Sequence, residues 1–197
     1  MSTRQDTFVD RLFHMARANG VSGETPIADL RHRYSAMFEA YGAPPRDAMF
    51  EPAQIGPLKG EWVRFAHSSP NRLIIYFHGG GYVAGSPQSH RALTARLALA
   101  SESTVFALDY RLAPEFAFPA AVRDGIDVYR HITAKGVSAS AIVLAGDGSG
   151  GGFAFSVLSA VRNAKLPMPA GCIAVSPVAY LSLSVWAVLQ NAESHGP

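Results

Sequence analysis

The sequence predicts an α/β fold built on a mostly parallel sheet with helices on both faces. From about residue 60 onward, short continuous apolar runs alternate with longer segments of helical periodicity. Such runs are typical of parallel strands covered on both faces and linked by right-handed crossovers through helices. Two glycine-rich loops directly follow two of the runs. Open α/β sheets bind their ligands at these strand ends, so the loops are the first candidates for a functional site.

A helical cap segment is predicted at residues 1–45, ahead of a core that spans residues 46–197. A first helix is predicted around Leu12, where apolar residues recur at helical spacing. A second is predicted to begin near Pro26, a favoured first helical position, and to run to Tyr41 with its apolar residues along one side.

The sequence of the core predicts five strands and three helices. The strands are the apolar, β-branched runs at 61–66, 72–77, 104–109, 141–145 and 171–176, of which the first is predicted to be an edge strand. The helices are the periodic segments 88–101, 119–134 and 150–164. The single cysteine, Cys172, falls in the last strand and is expected to be a buried small hydrophobe.

Composition excludes several classes of function. The net charge is +2, from 17 basic and 15 acidic residues that are scattered along the chain, so nothing indicates nucleic-acid binding. No apolar run is long enough for a membrane span, and the N-terminus does not resemble a signal peptide, so a cytoplasmic protein is expected. Metal-ligand spacings are not found, so neither a metal nor another cofactor is predicted.

The first glycine-rich loop reads HGGGYVAGS, from His78 to Ser86. Three successive glycines after a buried strand cost chain entropy, which indicates a functional reason for them. Unhindered backbone N–H groups of Gly79, Gly80 and Gly81 are candidates for holding an oxyanion in a pocket. A phosphate-binding loop is disfavoured because neither known phosphate-loop pattern is present.

Two further motifs follow in order: DYRLAPEFAFPAAV at 109–122 and AGDGSGGG at 145–152. Together with HGGG, they resemble the hormone-sensitive-lipase-like (bacterial family IV) esterases of the α/β-hydrolase fold. The resemblance covers about residues 70 to 181, and the preceding helices suit the cap of that family.

This resemblance implies hydrolysis of short-chain carboxylic esters by a serine nucleophile on a strained strand–turn–helix elbow. An acyl-enzyme would form and water would release the acid. Gly79 and Gly80 are then the leading oxyanion donors, with Gly81 beside them. The remaining implied roles are loop orientation by His78, elbow orientation by Asp147, loop bracing by Arg111 and Glu115, and either an acyl-pocket wall or plain packing by Tyr82.

The elbow departs from the family pattern, which reads G-D-S-[AG]-G-G. Aligned on Gly146 and Asp147, this pattern places Gly148 at the position of the serine and Ser149 one residue later. A one-residue shift at a helix start rotates a side chain by about 100° and moves it about 1.5 Å. Ser149 is therefore either a poorly placed nucleophile or a cap of the following helix.

The acid and the histidine of a triad are not recognisable either. Tyr180 stands where the family keeps an aspartate, and the one histidine after Ser149 is His195, expected in a solvated tail with Glu193. Earlier histidines, His90 among them, are predicted in loop or helix-surface contexts.

Three hypotheses follow from these observations. The first is a carboxylester hydrolase that is weakly active or inactive. The second is a non-catalytic protein that binds a small ester or apolar ligand on an esterase scaffold. The third is an incomplete hydrolase core, lacking the last strands of the family, that a swapped homodimer completes through the edge of strand 171–176.

Overall fold

A computed structural model describes residues 26–40 and 42–178 of the chain. This part contains four α-helices and six strands. The helices are α1 (Ile27–Glu39), α2 (Arg91–Ser101), α3 (Ala120–Ala134) and α4 (Ser149–Asn163). The strands are β1 (Met49–Ile55), β2 (Leu58–Arg64), β3 (Ser69–Phe77), β4 (Ser103–Asp109), β5 (Ile142–Asp147) and β6 (Gly171–Val175).

The six strands form one sheet in the order β1-β2-β4-β3-β5-β6. Strands β3, β4, β5 and β6 are parallel, whereas β1 and β2 run antiparallel to their neighbours. The predicted α/β fold with a mostly parallel sheet is therefore confirmed. The prediction that β2 is an edge strand is wrong, because β1 pairs along its whole length. Pro52 interrupts the apolar pattern of β1, and such a proline is tolerated on an edge strand.

Apolar side chains cover both faces of the sheet, as the continuous apolar strands predict. Alternate residues of β3 enter two separate clusters, because successive side chains of a strand point to opposite faces. Ile75 and Phe77 join the larger cluster, to which α3 and α4 contribute Val128, Tyr129, Phe153 and Val157. Ile74 and Tyr76 join the smaller cluster with Ala95 and Ala98 of α2.

The carboxyl ends of β3, β5 and β6 meet at one edge of the sheet. Phe77 lies opposite Gly146, and Asp147 lies opposite Val175. The loop that begins at His78 and the turn that follows Asp147 therefore lie side by side.

Strand β6 is less buried than the sequence predicts. Cys172 is only partly buried, and Ile173 and Val175 are 47% and 52% exposed. Within the described part of the chain β6 pairs with β5 alone, so one of its edges has no strand beside it. Partial burial still raises the pKa of the Cys172 thiol. Pairing of this edge with a second copy stays a prediction.

Some predictions lie outside the described residues, namely the first helix around Leu12 and the positions Tyr180, Glu193 and His195. The division into 1–45 and 46–197 also stays a prediction. None of the helices within 26–40 and 42–178 has the length and apolarity that crossing a membrane requires.

We expect Gly150→Ala to destabilise the fold because α4 begins directly against β3. A Cβ at Gly150 would lie 2.1 Å from the backbone oxygen of Phe77, so strand and helix must separate. The expected loss in free energy of unfolding is about 2 kcal/mol or more, measured by urea denaturation. Gly171→Ala is the matched control, since nothing lies within 4 Å of its Cβ position. Equal stability of the two variants would contradict this packing.

Candidate functional site

The turn between β5 and α4 has a glycine at its apex. Gly148 has φ 52° and ψ −122°, a conformation that side-chain-bearing residues adopt only with strain. Its N–H donates to the Val175 oxygen, and its oxygen accepts from the Val178 N–H, both at 2.9 Å. Nothing lies within 4 Å of the position of a Cβ on Gly148. Glycine therefore avoids backbone strain at position 148, where a side chain would have room. At position 150, by contrast, glycine is required because no side chain fits there.

Ser149 is the first residue of α4, and its hydroxyl points into the protein. The side chain is buried, with 4% of the residue exposed, and Oγ accepts a hydrogen bond from the Gly81 N–H at 2.8 Å. No side-chain hydrogen bond caps α4, so the predicted capping role of Ser149 is wrong. The hydroxyl contacts the glycine loop instead of standing at the apex of the turn.

The three loop glycines use their N–H groups differently. Gly79 donates to Oδ1 of Asp147 at 2.9 Å, and Gly81 donates to Ser149. Gly80 has no hydrogen-bond acceptor for its N–H among the described residues. The family resemblance implies Gly79 and Gly80 as the leading oxyanion donors, but the N–H of Gly79 already donates to the carboxylate of Asp147, so Gly79 is not a free donor.

Asp147 joins the two loops through one oxygen of its partly buried carboxylate. Its Oδ1 accepts from the Tyr76 hydroxyl at 2.6 Å and from the Gly79 N–H, and it lies 3.5 Å from Nε2 of His90. Burial acts to raise the pKa of Asp147, but the contacts with His90, Tyr76 and Gly79 outweigh it and lower that pKa. The carboxylate is therefore ionised at neutral pH and fixes the elbow against the loop.

His78 is buried and shapes the glycine loop from within. Its Nδ1–H donates to the Gly79 oxygen at 2.8 Å, and its ring stacks on Tyr110 with centroids 4.2 Å apart. The Tyr110 hydroxyl in turn donates to the His78 backbone oxygen at 2.7 Å. Burial lowers the pKa of His78 to about 3, so the imidazole is neutral and its contact orients the loop.

His90 is the site residue that sequence reasoning missed. The sequence predicts it in a loop or on a helix surface, but it is fully buried, and its ring centroid lies 4.2 Å from that of Phe38 in α1. Its Nδ1 contacts the Ser89 hydroxyl at 2.9 Å. Ser86 and Ser89 each accept the other's backbone N–H just before α2. The SPQSH sequence is a helix-start signal and predicts that turn, but not the burial of the imidazole.

The braces predicted around the loops form two ion pairs. Arg111 pairs with the buried Asp124 at 2.7 Å, and Glu115 pairs with Arg31 of α1 at 2.7 Å. Arg31 also donates to the Val83 oxygen at 2.8 Å, which joins α1 to the glycine loop.

Two cavities open near this edge of the sheet. One, of about 700 Å³, lies beside the elbow and is lined by Phe38, Ser89, Ala92, Leu93, Arg96, Asp147, Gly148, Val175 and Ser176. Tyr82 lines the second, an apolar cavity of about 460 Å³ bordered by Phe116 and Phe118. Their volumes fall within the range of small-molecule sites.

Comparison with known proteins shows which protein family has this fold and this pair of loops. A family model for the alpha/beta hydrolase fold matches residues 74–195. A crystal structure of an esterase from the bacterial hormone-sensitive lipase family superimposes with a TM-score of 0.81 and 34% identity, covering 90% of this chain and 59% of that one. The chain belongs to the hormone-sensitive-lipase-like esterase family. A second structure, of an esterase/lipase from an uncultured bacterium, has the same TM-score and covers 94% of this chain and 63% of its own.

Curated members of this family are also similar to the chain in sequence. An acetyl-hydrolase from Streptomyces hygroscopicus is 41% identical over 159 residues, which are 79% of this chain and 52% of the relative. Human hormone-sensitive lipase is 33% identical over 125 residues, or 61% of this chain and 12% of that protein. The chain thus spans about half the length of its bacterial curated relative.

We expect the buried neutral His78 to make stability depend on pH. Its folded pKa of about 3 lies below the ordinary value of 6.5, so its contribution is present above about pH 6.5 and is lost as pH falls toward 3. Between about pH 7 and about pH 5 this single group should remove about 2 kcal/mol of unfolding free energy.

Urea denaturation of His78→Asn tests this expectation, because asparagine can keep the donor to the Gly79 oxygen and does not titrate. The loss between the two pH values should be smaller in this variant. His67→Asn, at an exposed histidine, is the matched control and should behave like the unchanged chain. An unchanged pH dependence in His78→Asn would contradict the assignment.

Proposed function

We propose that this chain binds short-chain carboxylic esters at the loop formed by Gly80 and Gly81 but does not hydrolyse them at a useful rate. The observation that carries the proposal is the glycine apex: Gly148 has the strained elbow conformation without a side chain to attack a carbonyl. The described cavity beside it provides room for a small ester.

Support for an ester as the ligand comes from the family. The relatives include proteins named acetyl-hydrolase and esterase, which points to small acyl groups. The scaffold that would present a carbonyl oxygen to backbone donors is intact here, since His78 and Asp147 fix the glycine loop from both sides. Ester binding needs that loop, whereas hydrolysis also needs a nucleophile and a base.

Support for the loss of hydrolysis comes from Ser149. Its hydroxyl is buried and accepts the Gly81 N–H, so it does not stand at the apex where a nucleophile attacks. The two described histidines near the elbow are equally unsuited as its base. His78 is neutral and bonded to the Gly79 oxygen, and His90 lies against Asp147 and Ser89. Removing a nucleophile from a serine hydrolase costs about 10⁶ in kcat.

We expect the chain and its Ser149→Ala variant to hydrolyse p-nitrophenyl butyrate equally slowly, because Ser149 does not form an acyl-enzyme. Initial rates at matched protein concentrations measure this, with Ser159→Ala, on the exposed face of the same helix, as the control. Saturation-transfer NMR with ethyl butyrate should nevertheless detect binding to both. Rapid turnover that disappears in Ser149→Ala and persists in Ser159→Ala would overturn the proposal.

A further inference from the structure

We infer that the Ser149 hydroxyl weakens ester binding at this site, because it occupies the N–H of Gly81 that an ester carbonyl oxygen would need. This inference rests on the proposed function. It gives Ser149 a role in ligand affinity and not in ester hydrolysis. An incoming carbonyl oxygen must either displace the hydroxyl or bind without the Gly81 amide.

The backbone that carries the Ser149 hydroxyl is held close to the loop. Ser149 begins α4, whose next residue, Gly150, is so close to the backbone oxygen of Phe77 that no Cβ fits. The preceding residue, Gly148, is held by hydrogen bonds through both its N–H and its oxygen. The backbone on each side of Ser149 is thus fixed, and it places Oγ 2.8 Å from the Gly81 nitrogen.

The loop glycines are otherwise suited to receive a ligand oxygen. Gly81 is exposed at the surface of the loop although its N–H is bonded inward. Gly80 must be glycine, since at φ 122° a Cβ would lie 2.1 Å from the Ala84 oxygen. Two adjacent donors are therefore held in a fixed conformation, one of them without an acceptor in the described chain and the other satisfied by Ser149.

The cost to a ligand follows from the hydrogen bond that it must replace. Exchange of one neutral hydrogen bond for another leaves little net gain, whereas a hydrogen bond to an unoccupied donor would stabilise the bound ligand by about 0.5–1.5 kcal/mol. Removal of the Ser149 hydroxyl should therefore increase ligand affinity by about threefold to tenfold.

The experiment uses dipropyl ketone, the isosteric ketone of ethyl butyrate, which cannot be hydrolysed and so reports binding alone. The unchanged chain, Ser149→Ala, Ser149→Cys and the control Ser159→Ala are titrated, and the backbone amides of Gly80 and Gly81 are followed by ¹H–¹⁵N NMR. Cysteine keeps a side chain of similar shape but is a weak acceptor, so it separates loss of the hydrogen bond from loss of volume.

We expect tighter binding and a larger ligand-induced shift of the Gly81 amide in Ser149→Ala and Ser149→Cys than in the unchanged chain. Without ligand, the Gly81 amide should exchange its hydrogen faster in both variants, while Ser159→Ala behaves like the unchanged chain. If all four proteins bind the ketone equally and the Gly81 amide responds identically, the inference is wrong although the proposed function stands. If none of them binds the ketone, the proposed ester binding fails, and the inference fails with it.

Discussion

The close approach of the first turn of α4 to the end of β3 is the constraint on which the site depends. At Gly150 the two backbones are too near for any side chain, and Gly146 is equally restricted by the oxygen of Gly150. This packing places the elbow beside the loop that follows Phe77 and brings their backbone groups within hydrogen-bonding distance. The glycines of the GDGSGGG segment therefore serve two purposes, since Gly146 and Gly150 provide space while Gly148 provides a strained turn.

Asp147 converts this packing into a defined loop conformation. One oxygen of this partly buried carboxylate accepts from Tyr76 on β3 and from Gly79 at the start of the loop. Burial raises the pKa of Tyr76, and the neighbouring Asp147 raises it further, so the phenol keeps its proton and remains a donor. Because charge-assisted hydrogen bonds are stronger than neutral ones, this carboxylate fixes the loop more firmly than the glycines could by themselves. The scaffold for holding an ester oxygen is thereby kept although the apex carries no hydroxyl.

The sequence predicts strands β2 to β6 and helices α1 to α4, because the spacing of their apolar residues indicates which face is buried. It misses β1, whose Pro52 and mixed residues resemble a loop until β2 pairs with them. At the site, the positions of Gly148 and Ser149 follow from the motif. The partners of Gly79 and Ser149 do not, because a backbone N–H carries no sequence signal for its acceptor. The burial of His90 is hidden for a similar reason, since Phe38, which covers it, is distant in sequence.

A crystal structure of the chain, with attention to the electron density from Gly146 to Gly152, tests the central claim most directly. We expect a glycine apex with φ near +52° and the Ser149 Oγ within hydrogen-bonding distance of the Gly81 nitrogen. A Ser149 hydroxyl that faces the cavity beside Gly148, with the Gly81 amide free and an imidazole nitrogen within hydrogen-bonding distance of Oγ, would contradict it.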